Sequence, residues 1–411
     1  MTARYFYGWN VVAATFVMAL FSFGLGFYGL TVYVATLQQL HQWSASLVSA
    51  PVTVYYVGGA LVTMVISTLY ERFGPRMVVS AASVALAGGV AALGSVTRPW
   101  HLYPAFLLMS LGWGAMSGAA INIILAPWFR RRRGLAVSIA FNGATLGGVI
   151  VAPLLIPLIA RVGFASAMAM GAMVVAAVVV GVAVGIMRRT PESIGLSPDG
   201  EPGTATPDAP RLGEKRRWRR QALRTWRFWS VSVPFALGLA AQVGVLTHLV
   251  ALVMPTLGAS GAAVAVSTTT AAAILGRLLT GIVVDRTDPR FVAAATLGVQ
   301  VFGVMLLAWA PSAAVAYSGC TLFGLGVGNL TTLPGLIVAA EWPTEQFGAL
   351  VALAVGINQL TFAFGPSLVG VVRDWSGGYA PALGVCAVLQ VAAATLVLLG
   401  RSPSRTGPTA H

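Results

Sequence analysis

Acidic residues are scarce in this 411-residue chain: eleven Asp and Glu stand against 25 Lys and Arg, and charged residues of both signs make up only 9% of the sequence. All eleven carboxylates lie in polar connecting segments or at the ends of apolar runs. The apolar interior therefore lacks the convergent acid, base and nucleophile groups that enzyme chemistry needs. Cysteine is almost absent. Cys320 and Cys386 each sit inside an apolar run, which excludes a disulfide framework and reads as two buried small apolar residues. No metal-ligand spacing and no phosphate-cradling glycine loop of the P-loop type occurs, so neither a metal nor a cofactor is expected, and an enzyme is not the expected class.

Long apolar runs are what the chain does have. Hydrophobic residues form 57% of it and the mean hydropathy is +0.83, too apolar for a soluble globular protein. Runs of about 20 apolar residues match a hydrocarbon core about 30 Å thick. Division at polar and Pro/Gly-rich breaks predicts twelve membrane helices, near 9–37, 45–69, 77–96, 101–126, 135–159, 163–187, 226–254, 261–284, 291–310, 312–340, 347–372 and 380–400. The first is long enough to need tilt or a kink, and too long for the apolar region of a cleavable signal. A β-barrel would show alternating segments of about ten residues instead.

Basic residues orient these helices. With both termini in the cytoplasm, every Lys and Arg except Arg98, Arg161, Arg277 and Arg373 falls to an inner loop or tail, a strong positive-inside bias. The net charge of +14 then belongs beside anionic lipid, not nucleic acid. Compact loops without eukaryotic sorting signals point to a bacterial inner membrane, and a monomer is expected.

Residues 188–225 interrupt the pattern and divide the chain into halves, 1–187 and 226–411. Its first part, rich in Pro, Gly and acid, predicts a flexible linker. Its second part, EKRRWRRQALR, predicts a short amphipathic helix at the membrane surface with Trp218 at the interface. A fixed offset of 214 positions aligns the halves: Glu71 and Arg72 with Asp285 and Arg286, Arg76 with Arg290, Trp128 with Trp342. Six helices per half, repeated in parallel, is an arrangement built to rock about a central site.

Arg277 lies within Gly261–Val284, a predicted span with no other charge. A guanidinium at bilayer depth costs at least about 2.5 kcal/mol, so it normally marks a pathway or a partner. The missing counter-charge points to a substrate anion. His248 is the other titratable group deep in a span besides Tyr and Cys; it reads either as a ligand and proton site or as a satisfied packing histidine. Asn122, Asn358 and Gln359 are candidates to orient substrate, since amides in lipid demand partners. Tyr28, Tyr33, Tyr55 and Tyr56 either wall the cavity or pack.

The segment GIVVDRTDPR (Gly281 to Arg290) resembles the G-x-x-x-D-R-x-x-x-R loop that major facilitator superfamily transporters carry between their second and third helices and repeat between the eighth and ninth. Its first copy, STLYERFGPR (Ser67 to Arg76), has Ser67 for Gly and Glu71 for Asp. The resemblance implies a cytoplasmic gate made of Glu71, Arg72, Arg76, Asp285, Arg286 and Arg290. Five further segments, YGWNVVAATF, WFRRRRGLAVSIAFNGATLGG, PESIGLSPDG, THL around His248 and LGRLLTGIVVDR, are similar to the monocarboxylate and oxalate:formate transporters. That likeness implies a carrier of a small organic monocarboxylate whose carboxylate is held by Arg277. Ala273 stands where proton-driven relatives often carry Asp, and residues 347–372 have no Lys or Arg where the oxalate:formate antiporters add a Lys, which favours a monoanion, with or without protons as co-substrate. The alternatives are efflux or exchange of another small anion or drug, and a ligand sensor that moves nothing.

Overall fold

The computed structural model describes residues 6–195, 198–200, 212–284 and 286–401. Among the described residues, ten helices are long and apolar enough to cross a membrane: α1 (Gly8–His41), α2 (Ala45–Leu93), α3 (Pro99–Leu125), α4 (Arg133–Val162), α5 (Phe164–Gly185), α7 (Trp226–Val284), α8 (Pro289–Trp309), α9 (Ala313–Glu341), α10 (Glu345–Ser376) and α11 (Tyr379–Leu399). The short basic helix α6 (Leu212–Ala222) precedes α7. Among the described residues there is no strand.

Two of these helices exceed one crossing. The 49 residues of α2 and 59 of α7 would extend about 74 and 89 Å at 1.5 Å per residue, against a core of about 30 Å. Each is two helices joined at a glycine outside helical geometry, Gly74 with φ 73° and Gly258 with φ 67°. A side chain is strained in that region and glycine is not, so the chain reverses there without cost to a neighbour. Elsewhere the starts are capped as polar side chains dictate: Ser44 accepts from Leu47 N–H, Asp288 from Arg290 N–H and Ser312 from Val315 N–H.

Corresponding helices in the two halves pack in the same way. Gly143 of α4 lies against the Phe16 carbonyl of α1, and Gly365 of α10 lies against the Ala240 carbonyl of α7, so the first and fifth predicted spans of each half touch backbone to backbone. Cys320 and Cys386 are buried and free.

The halves meet mostly away from the linker side, the face that carries residues 188–195 and α6. At the far ends, the Asp374 carboxylate accepts the N–H groups of Ala45 (3.0 Å) and Ser46 (2.7 Å), and Thr53 and Ser367 share a hydroxyl hydrogen bond of 2.6 Å. Val250 N–H donates to Thr31 Oγ1 at 2.8 Å. Nearer mid-membrane, Ser267 donates to the Val149 carbonyl at 3.0 Å. The ion pairs at the linker-side ends stay within the second half instead: Arg290 and Arg227 both pair with Glu341, and Arg401 pairs with Asp288.

The start of the linker is docked, unlike the free connector that its composition predicts. Asp199, at φ 59°, accepts the N–H groups of Arg130 (2.8 Å) and Arg131 (2.6 Å) through Oδ2, and its own N–H donates to the Trp128 carbonyl. A short acidic side chain tolerates the left-handed region and satisfies loop amides, which hydrophilicity alone does not reveal. Helix α6 spans Leu212–Ala222, with Ala222 buried beside Phe228, Leu350 and Ala354.

Candidate functional site

Arg277 is half-buried on the second arm of α7 and reaches across to the first half, where Nη1 donates to Thr145 Oγ1 of α4 at 2.8 Å. The guanidinium lies against Gly328, where α9 breaks at φ 89°; a Cβ there would collide with the guanidinium. Among the described residues no carboxylate lies within ion-pair distance of Arg277. The fork has five donors in a plane, a geometry suited to a carboxylate's two oxygens.

Two π-helical turns, Gly24–Tyr28 in α1 and Gly147–Val151 in α4, pack on each other through Gly24, Gly147 and Val151. Such turns displace side chains from the regular helical register and recur at functional sites. Here they place Tyr28 against Gly148, which also touches Thr270 of α7. A cavity between the halves opens beside them. Phe27, Tyr28, Thr31 and Tyr56 of the first half face Leu246, Thr247, Leu249, Val266, Thr269 and Thr270 of the second.

Of the residues singled out from sequence, Tyr28 and Tyr56 line the cavity between the halves, and Arg277 spans the halves through Thr145. Tyr55 is buried within the first half, donating to the Gly26 carbonyl and packing on Phe106 and Trp113. His248 points away from the cavity that its neighbours Thr247 and Leu249 line. Its Nε2 meets the Pro366 carbonyl at 3.0 Å and its Nδ1 meets the Tyr379 hydroxyl at 3.2 Å. A carbonyl only accepts, so Nε2 carries a proton, while the Tyr379 hydroxyl can either donate to Nδ1 or accept from it; both ring nitrogens are engaged. Asn122 donates to the Gly118 carbonyl of its own helix. Asn358 is buried with Oδ1 lacking a partner, and Gln359 beside it is half-buried.

The six gate residues separate into two groups. Glu71, Arg72, Arg76 and Arg286 are exposed at the linker-side ends, and Arg72 covers the Phe73 ring. Asp285 lies outside the described residues. Arg290 is buried, not exposed in a gate: its guanidinium pairs with both Glu341 oxygens and donates to Ser230 and to the Val397 carbonyl. Position 341 corresponds to Pro127 in the first half, which removes the equivalent acid and leaves Arg76 exposed.

Sequence reasoning missed Thr145, Gly328, Phe27 and the threonines of the cavity. One signal was available: Ser267 to Thr270, four consecutive hydroxyls in an apolar span two turns before Arg277.

A family model described as the Major Facilitator Superfamily matches residues 15–366. The chain is 25% identical over 395 residues to "MFS-type transporter 1" of Ophiocordyceps sp. (strain BCC 1869), covering 91% of this chain and 80% of that protein. A segment of 112 residues, 27% of this chain, is 38% identical to 63% of a Thauera aromatica protein provisionally named an anionic 4-hydroxy-benzoate permease. In fold it is similar to the nucleoside transporter NupG (TM-score 0.73, 12% identity, 95% of this chain and 98% of that one). It is also similar to a bacterial homolog of the human lysosomal transporter Spinster in an inward-facing, unoccupied conformation (TM-score 0.71, 15% identity, covering 96% and 95%).

Proposed function

The chain belongs to the Major Facilitator Superfamily of membrane transporters, and from that premise we propose that it carries a small organic monocarboxylate anion by alternating access, with Arg277 binding the carboxylate. The observation that carries this reading is a guanidinium between the halves without a carboxylate partner among the described residues. A buried charge must be neutralised, and an incoming anion does so. One such cation suits one carboxylate. The provisional name of the Thauera aromatica relative, an anionic hydroxybenzoate permease, supports an organic anion.

Counting the two arms of α2 and of α7 separately makes twelve spans in two six-helix halves, with the linker side cytoplasmic by the positive-inside rule. The bonds at the far ends then describe an inward-facing state. When the halves rock the other way, Glu71, Arg72, Asp285 and Arg286 close the cytoplasmic side, while Arg290 keeps its place inside the second half. Asn358, with an unpartnered buried oxygen, is the amide best placed to gain a substrate contact. A bacterial inner membrane and a monomer remain part of this reading.

Arg277→Lys keeps the charge and removes the planar fork, so uptake into proteoliposomes should fall by about tenfold or more, the equivalent of about 1.4 kcal/mol. Wild-type uptake and affinity in that variant would remove Arg277 from the site.

A further inference from the structure

Resting on the carboxylate reading of Arg277, we infer that Thr145 of the opposite half is a second carboxylate-binding residue, so that one substrate carboxylate is held by both halves at once. Local helix geometry aims Thr145 at the second half. Gly143 and Gly147, one turn apart, pack α4 onto the Phe16 and Leu20 carbonyls of α1. At about 100° per residue, Thr145, midway between them in sequence, falls on the opposite side of the helix, away from α1 and toward α7. Three contacts run along the seam between α4 and the second arm of α7: Ser267 to the Val149 carbonyl at 3.0 Å, Thr270 against Gly148, and Arg277 to Thr145 at 2.8 Å. The last lies nearest the linker side, and it joins two polar side chains.

Thr145 is 2% exposed, and its hydroxyl is used differently from the threonine hydroxyls of α7. Thr247, Thr269 and Thr270 donate their protons to the carbonyls of Val243, Ala265 and Val266 on their own helix. Thr145 Oγ1 accepts from Arg277, and among the described residues its own proton goes to no acceptor. A buried hydroxyl proton without an acceptor is unfavourable, and an arriving carboxylate supplies one. Two donors 2.8 Å apart both come within hydrogen-bond reach of one carboxylate oxygen, leaving further guanidinium N–H groups for the other oxygen. Because Thr145 and Arg277 belong to different halves, a carboxylate that engages both favours the arrangement in which they are close. Occupancy then biases the rocking of the halves.

Thermal shift of the purified full-length protein tests this with acetate, lactate and benzoate, each beside its neutral amide. Thr145→Val removes the hydroxyl at nearly constant shape, and the acids that protect the wild type should need about tenfold higher concentration, the size of one hydrogen bond to a charged group. Thr145→Ser keeps the hydroxyl and should stay within about twofold of the wild type. If Thr145→Val does not fold, Thr145→Ala supplies the same comparison. A hydroxyl that only props Arg277 would change affinity alone, so labelling of single cysteines on the linker side supplies a second readout. Saturating acid should slow that labelling in the wild type and in Thr145→Ser, and leave it unchanged in Thr145→Val. Wild-type or tighter affinity in Thr145→Val, a full labelling change in that variant at saturation, or no labelling change in the wild type overturns this inference and leaves the reading of Arg277 standing. Equal protection of the wild type by acid and amide, or none by any acid, overturns the reading of Arg277 and this inference with it.

Discussion

A guanidinium has five N–H donors, and Arg277 spends one of them on Thr145 across the interface between halves. That single bond holds the side chain in the gap, and Gly328 leaves the space that its plane occupies. His248 illustrates the opposite outcome. Its depth made it a candidate proton site, yet both ring nitrogens are engaged by Pro366 and Tyr379, which ties α7 to α10 and α11. On the proposed role of Arg277, His248→Gln should leave exchange of substrate for substrate running, because the guanidinium is untouched. Where a pH gradient drives accumulation by the wild type, loss of that drive in the variant with exchange intact assigns the proton to His248. Continued proton-driven accumulation excludes it.

At the scale of the helix, the same loop motif plays different parts in the two halves. Arg290 is 1% exposed and holds α8, α9, α11 and the first arm of α7 together through Glu341, Ser230 and Val397. Its counterpart Arg76 is exposed, with proline at the position that would carry the acid. Arg290→Ala leaves Glu341 in a partly buried site with only the exposed Arg227 as partner, and removing one member of a buried pair costs about 3–5 kcal/mol. The expected result is a clear drop in melting temperature for Arg290→Ala and little change for Arg76→Ala. Equal melting temperatures for the two variants would contradict the asymmetry. The π-helical turns act at this scale too, since they shift Tyr28 and Gly148 out of regular register and toward Thr270.

For the whole molecule, the decisive contacts are those that bias one orientation of the halves over the other. Asp374 accepts two N–H groups at the start of α2, a carboxylate at a helix N-terminus where the macrodipole favours it. Asn at this position keeps the shape and loses the charge. Asp374→Asn should raise far-side accessibility of single cysteines by roughly fivefold, the effect of about 1 kcal/mol on a two-state equilibrium. Labelling rates unchanged in a folded variant would mean that this contact does not hold the far side shut.

Composition and period determined the membrane class, the helical architecture, the position of the reversals near residues 74 and 258, and the one cation in an apolar span. These follow from local rules: apolar length against bilayer thickness, and glycine where a left-handed φ is required. The repeat was also legible, because duplicated residues keep their spacing. Which side chains converge was decided only by tertiary structure. Thr145 and Arg277 are 132 positions apart, and Tyr56 and Phe362 belong to different halves, so no local pattern joins them. Arg290 and Arg286 look alike in the loop motif, yet one is buried against Glu341 and the other exposed. Their fates depend on what a neighbouring helix presents. Packing, which acts between distant segments, makes that choice, and periodicity along the chain does not encode it.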